Sequence, residues 1–548
     1  MLNMGACTSL QDTASDTYIQ EPDPSPEVFV DSTFLWDHLH VLAHDTLEGR
    51  GTGQIGAEKA ADYLYNFYTS ADFQKWDDLK VNRQPFTLEG IFLDAISAKW
   101  YQTVDGDTVY QTVSTLKNDQ AAPFYPIKGG AYETDAPVIF AGYDPFCFDD
   151  DPPYADEESW SNSWIMVFEN CPEGHGDGLK NSRTKRLQRI NGYFAAAGII
   201  IIPDKTVDEW EGEATELRRQ LNRPLSVRRD RGGFRTANVS SGVAISIHPG
   251  KALKLLGLSH PSELEQMRNQ AINPEIRDEL HDTGYHLKIN PNTQSREFTE
   301  NNIITVLPGD HKAYSEEVVV LSAHYDHMGL GEPDDYNDII YNGADDNASG
   351  SVVLMQIAEA FRKAYEQGYR PSRTLVFLHS AAEEWGIIGS RYFVENPAVP
   401  LENIVANVNV DMVGYVDDRY AEKDDSNYIY VIGAGMVSSE LESLVDETEA
   451  ILSDVKVDYT YNDTSHPMSL YRRSDQWAFG EQGIPFVFFF SGLHDYYHTP
   501  SDTADRIAWS SLERRAEWIT YYVWNLVESP ERPSFNIQKW NENQMRSR

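Results

Sequence analysis

Four stretches in the second half of the chain, at 318–322, 374–378, 404–410 and 484–490, are near-continuous apolar runs. A strand with no polar face must be covered on both sides, and a sheet packed between helices provides that cover. The segments between the runs supply the helices, which apolar spacing predicts over 348–366, 385–394, 440–452 and 512–528. From residue 302 onward the chain therefore reads as an α/β domain. The longest apolar runs fall far short of the roughly 20 residues that a membrane-spanning helix requires.

In an open α/β sheet, ligands bind beyond the carboxyl ends of the strands. Here nearly every such end carries a residue able to hold a metal. His324 follows the first strand, in Ser322-Ala-His-Tyr-Asp-His-Met-Gly329, and Asp346 lies in Gly343-Ala-Asp-Asp-Asn-Ala-Ser-Gly350. Glu383 and Glu384 follow the second strand, Asp411 closes the third, and His498 follows the fourth in Tyr496-Tyr-His-Thr-Pro-Ser-Asp-Thr503. Each motif alone is weak, since adjacent glutamates usually open a solvated helix and Asp-Asp before a helix is usually a cap. Five such sites in succession point to a two-metal hydrolase. Two imidazoles with several carboxylates suit zinc, and less selectively cobalt or manganese.

The earlier part of the chain has a different texture. Residues 1–30 read as an acidic leader, and a Gly-rich stretch, Glu48-Gly-Arg-Gly-Thr-Gly-Gln-Ile-Gly56, joins predicted helices over 32–42 and 57–68. From 123 to about 285, short β-type runs at 137–140, 164–168 and 243–247 mix with an Ala-rich helix and the apolar run 198–203, as in a small inserted α+β module. The expected division is leader 1–30, first part of the main domain 31–122, insertion 123–285 and main domain 286–548. Arg218, Arg219, Arg223, Arg228, Arg229, Arg231 and Arg235 form a basic cluster within the insertion, expected to be a solvated face or a partner for acidic loops, with a substrate-carboxylate site as the minority reading. The acidic run 149–158 has the oxygen ligands for calcium, but its spacing fits no calcium loop and it reads as solvated.

Lys plus Arg number 45 and Asp plus Glu 86, giving a net charge of −41 that would repel a phosphate backbone and counts against a nucleic-acid partner. Met4-Gly-Ala-Cys7 resembles the end of a bacterial lipoprotein signal, although no apolar segment precedes it. The expectation is an exported protein, periplasmic, secreted or lipid-anchored through Cys7. In that oxidising setting Cys147 and Cys171 could pair.

The strand-end residues resemble those of the co-catalytic zinc metallopeptidases, which include bacterial leucyl aminopeptidases, glutamate carboxypeptidase II and the transferrin receptor. The likeness runs from about 302 to 505, and Leu42-Ala-His-Asp-Thr-Leu-Glu-Gly-Arg-Gly-Thr-Gly53 is similar to the opening of bacterial members. It implies a three-layer zinc-exopeptidase-like domain with a central mixed sheet. The insertion resembles a protease-associated domain through Ala136-Pro-Val-Ile-Phe-Ala-Gly-Tyr143 and Ala195-Ala-Ala-Gly-Ile-Ile-Ile-Ile-Pro203. The resemblance further implies two zinc ions per subunit: Asp346 bridges them, His324 and Asp411 complete one site, and Glu384 and His498 the other. Glu383 is then the general base, Asp326 orients His324 through its far ring nitrogen, and Tyr497 stabilises the oxyanion. Peptides would be the substrates.

Other residues compete for these roles. Asp345 is expected beside the cap or as an acid behind the metal ligands, His327 and His494 as pocket or surface histidines, and His379 as a core histidine. Gln476 stands where the family often has a histidine, which affects a pocket contact and no ligand. The alternative functions are a dipeptidase or carboxypeptidase of the same family, a glutaminyl cyclase on the same fold, and a non-catalytic receptor-like relative. The last would have lost ligands that are all present here.

Overall fold

The computed structural model describes residues 30–540, apart from 106, 118–120, 129–132, 149–159, 176–182, 230–234, 237–242, 274–280, 424 and 539. Cys7 with its expected anchor, residues 1–29 of the leader, the acidic run 149–158 and Arg231 lie outside the described residues.

The apolar runs become adjacent strands. Their order across the sheet is Lys456–Asp458, Tyr428–Gly433, Phe486–Phe490, Ile404–Val410, Val318–His324, Thr374–Ser380 and His281–Leu307. Val318–His324 runs parallel to both Thr374–Ser380 and Ile404–Val410, while His281–Leu307 pairs antiparallel with Thr374–Ser380 and Tyr428–Gly433 antiparallel with Phe486–Phe490, so the sheet is mixed. Every residue of Val318–His324, Thr374–Ser380 and Ile404–Val410 is buried. The alternation of side chains shows why. Val319 and Leu321 pack into one core with the helices Gly350–Glu366 and Trp509–Glu528, whereas Val318 and Val320 face a second one with Phe393 and Phe479. Helices thus cover both faces in three layers.

Three long strands had no counterpart in the expected elements. Lys80–Val104 pairs antiparallel with His281–Leu307 from Lys80↔Val306 to Tyr101↔His286, and with Asp107–Leu116 on its other side. His281–Leu307 joins two regions: Ile303 pairs with His379 on one side, and Leu287 with Ala136 in the region expected to be an inserted module. Beyond it lie Thr134–Gly142, Trp164–Phe168, Gly198–Ile202, Ala244–Ile247 and Phe124–Lys128. The module has its own core, which also takes in Leu93, Ile96, Ala98 and Trp100 from before the expected boundary at 123. Cys147 and Cys171 form a disulfide in this module, with Cα atoms 5.4 Å apart.

Candidate metal centre

The turns after the strands bring the expected residues together. Their ligand atoms form two groups, His324 with Asp346 and Asp411, and His327 with Asp346, Glu384 and His498; within each group all atoms lie within 4.8 Å of one another. Asp346 belongs to both. Its Oδ1 is 3.4 Å from His324 Nε2, and its Oδ2 is 3.1 Å from His498 Nε2. His324 Nε2 also stands 3.3 Å from Asp411 Oδ1, and His498 Nε2 stands 3.1 Å from Glu384 Oε2. Bonds of about 2.0–2.1 Å to a tetrahedral ion set ligand atoms about 3.3 Å apart, so both spacings fit a cation of zinc's size. His498 Nε2 is buried and makes no hydrogen bond despite its two carboxylate neighbours, which suits a donor aimed at an ion.

Local backbone sets these directions. Ala382 before Glu383, Met412 after Asp411 and His498 itself all have φ between 52° and 56°, a left-handed conformation uncommon outside glycine. Such strain concentrates at functional turns. Gly343 has φ 59°, and a Cβ there would stand 2.3 Å from the Asp346 carbonyl and 2.5 Å from the His327 ring, so only glycine fits.

Neighbouring groups hold the candidate ligands. Ser474 Oγ donates to Asp411 Oδ2 at 2.6 Å. His324 Nδ1 lies 3.1 Å from the main-chain oxygen of Asp326 but 3.9 Å from its carboxylate. The Asp326 contact to the far ring nitrogen is therefore a backbone one, and its carboxylate instead accepts from Glu383 N and Thr52 Oγ1, each at 3.0 Å. Burial lifts Asp326 to about 6 against the opposing effect of His324. Burial also pushes the Glu383 carboxyl well above its ordinary range, with His324 opposing and Glu384 adding to the rise. In Glu384 burial acts the same way, but His498 and His327 outweigh it and hold that carboxyl well below the usual range. Two adjacent glutamates are thus separated, one suited to ligation and the other to holding a proton.

The remaining candidates have definite places. His327 is buried, with Nδ1 2.9 Å from Glu384 Oε1. Asp345 caps no helix: Oδ1 accepts from Gly414 N at 2.6 Å, and Oδ2 faces His494 Nε2 at 3.2 Å. His379 is a core histidine bonded to Tyr68, and Gln476 is buried against Asn409, away from the cavity. Tyr497 stacks on His498 with ring centres 3.8 Å apart. Tyr497, Glu383, Glu384, His327 and His498 share the wall of a cavity of about 490 Å³, within the range of small-molecule sites.

Residues 302–523 match the profile of peptidase family M28. This stretch belongs to that family. The M28 domain is similar to leupeptin-inactivating enzyme 1 of Streptomyces exfoliatus, 28% identical over 258 residues, which covers 42% of this chain and 49% of that protein. It is also similar to aminopeptidase YwaD of Bacillus subtilis, 25% identical over 249 residues, 43% of this chain and 46% of that one. The chain spans about half the length of these curated relatives. Among solved structures, BSAP, a zinc aminopeptidase from Bacillus subtilis, aligns over 92% of this chain and 98% of its own at 16% identity, with a TM-score of 0.47.

Two residues that shape the M28 centre had been given no role. Arg50, fully buried, donates to the carbonyls of Tyr325 at 2.6 Å, Leu42 at 2.5 Å, and Asn342 and Gly343 at 2.7 Å each. It ties the Gly-rich segment to the turns that carry His324 and Asp346. Asp502 accepts from Asp345 N at 2.9 Å and Asp346 N at 3.1 Å, fixing the His498 loop to the Asp346 turn. Both lie within motifs legible in the sequence, but nothing there marks them as buried.

Proposed function

We propose that the chain is an exported two-zinc aminopeptidase that removes N-terminal residues from peptides. The observation that carries this reading is Asp346, whose two oxygens face different histidines and so suit two ions. His324 and Asp411 would hold one zinc, and Glu384 and His498 the other, with His327 close to the second. Bound there, zinc supplies a Lewis acid and lowers the pKa of water from about 15.7 toward 7.

The side chains do the rest. Glu383 opens onto the cavity and makes no claim on the ligand set, which leaves it free to take a proton from water and return it to the departing amine. The Glu383 N–H to Asp326 bond fixes the start of that glutamate. Tyr497 stays protonated, because burial and then Asp346 and Glu384 raise its pKa, so its hydroxyl can donate to a developing oxyanion. The similarity to an aminopeptidase of Bacillus subtilis supports cleavage at the N-terminal end. The Cys147–Cys171 bridge supports an oxidising compartment, and the separate core over the insertion supports a protease-associated module.

The test pairs metal analysis with turnover of leucyl-anilide and of a peptide blocked at its N-terminus. Wild type is expected to hold two zinc ions and to cleave only the free-amine substrate. Glu383→Gln should keep both ions and lose about 10²–10⁴-fold in turnover. Full activity in that variant would overturn the assignment of the base, and exclusive cleavage of the blocked peptide would overturn the aminopeptidase reading.

A further inference from the structure

The cavity beside the metal centre is cationic in a chain of net charge −41. Arg223, Arg391, Arg472 and Arg473 all line it, and among the described residues its only carboxylates are Glu383 and Glu384. The four arginines come from three places. Arg223 belongs to the inserted module, immediately before the strand Pro224–Arg228. Arg391 lies on the helix Ile388–Glu395 that follows Glu384, and Arg472 and Arg473 lie at the end of the turn Leu470–Arg472. The basic cluster of the insertion was expected to be chiefly a solvated face or a partner for acidic loops, and of it Arg223 lines this cavity.

Two of these guanidinium groups are already engaged. Arg391 pairs with Glu481 at 2.9 Å, and Arg223 stands 4.0 Å from Glu332. Arg472 and Arg473 are exposed and form no ion pair among the described residues. They immediately precede Ser474, whose hydroxyl holds Asp411, so this pair is anchored to a metal-ligand residue. An acidic protein would ordinarily quench such charges with its own carboxylates. Leaving two unmatched on a 490 Å³ cavity wall suits an anion that arrives with the substrate.

We infer that Arg472 and Arg473, with Arg223 opposite in sequence origin, form a subsite for a carboxylate of the peptide substrate. This rests on the peptidase reading of the same cavity. The carboxylate has two possible sources, the free C-terminus of a very short peptide or an Asp or Glu side chain near the cleaved bond. Either one matches the planar fork of a guanidinium.

Binding separates this inference from catalysis. Zinc-loaded Glu383→Gln is titrated calorimetrically with two matched pairs, Leu-Leu against Leu-Leu-amide, and Leu-Glu-amide against Leu-Gln-amide. The charged member of at least one pair should bind about tenfold tighter or more, the effect of a hydrogen bond to a charged group, and which pair responds identifies the source. Adding Arg472→Gln and Arg473→Gln should reduce that preference to within about threefold, and Arg223→Gln should lower it from a separate element. Equal affinities within both pairs, no binding of any ligand, or a preference that survives these substitutions would overturn the subsite. A wild type that binds with this preference but cleaves no free-amine peptide would instead overturn the proposed activity and leave the subsite standing.

Discussion

Replacing Arg50 with methionine removes a side chain that no solvent reaches and leaves its acceptors where they are. Four carbonyls, of Leu42, Tyr325, Asn342 and Gly343, lose donors at 2.5–2.7 Å. A buried acceptor left unpaired costs about 1–3 kcal/mol, so four would cost about 4–12 kcal/mol if none found a substitute. The variant also no longer buries a charge, a cost evident in the Arg50 pKa, which burial lowers to about 10. That relief and local relaxation bring the expected net loss to about 3–5 kcal/mol, the range for breaking a buried charged network. Domains have total stabilities of only about 5–15 kcal/mol. Arg50→Lys keeps the charge but not the planar fork, and should recover little. Urea unfolding of the zinc-loaded protein gives the stability change from the midpoint at unchanged slope. Zinc retention against a graded chelator gives the second readout, expected to weaken about 10–100-fold because the lost contacts sit on the turns carrying His324 and Asp346. A midpoint equivalent to less than about 1 kcal/mol from wild type, with zinc retention unchanged, would refute this account of Arg50.

Burial holds the His379 imidazole at a pKa of about 3, against about 6.5 in an unfolded chain. Between those values the unfolded chain binds a proton that the folded one refuses, so stability falls as pH drops below about 6.5. At pH 4.5 that amounts to about 2–3 kcal/mol, and His379→Gln should show a smaller loss than wild type between pH 7 and 4.5 in urea titrations; parallel losses would count against it. Reducing the Cys147–Cys171 bridge, which closes a 24-residue separation, should destabilise the inserted module by about 3–4 kcal/mol on the chain-entropy account. Limited proteolysis with and without reductant reads this out, and equal cleavage rates in the module would contradict it.

Much of the centre was legible because sheet geometry does part of the work. Near-continuous apolar runs demand cover on both faces, and their carboxyl ends then fall along one rim. His324, Asp411 and His498 could be placed from that rule alone. The supports could not, since a charged residue reads as solvated by default. Arg50 and Asp502 are buried only because carbonyl and amide groups from distant turns surround them. Asp326 shows a finer limit: the residue was legible as a neighbour of His324, but whether backbone or carboxylate makes the contact depends on the turn. His327 differs again, because one χ1 choice decides whether an imidazole three positions past a strand faces Glu384 or solvent. The strand Lys80–Val104 escaped notice because it is far longer than ordinary strands and its start, Lys-Val-Asn-Arg-Gln, is polar.

The shared strand His281–Leu307 has a practical consequence for anyone wishing to trim this molecule. The insertion is not a cassette that lifts out between two loops. The strand that pairs with Thr134–Gly142 at one end and with Thr374–Ser380 at the other is a single continuous segment, His281–Leu307. Cutting at 123 and 285 would strip cover from Trp100 and Leu287 and leave two apolar arms bare, an invitation to aggregate by edge pairing.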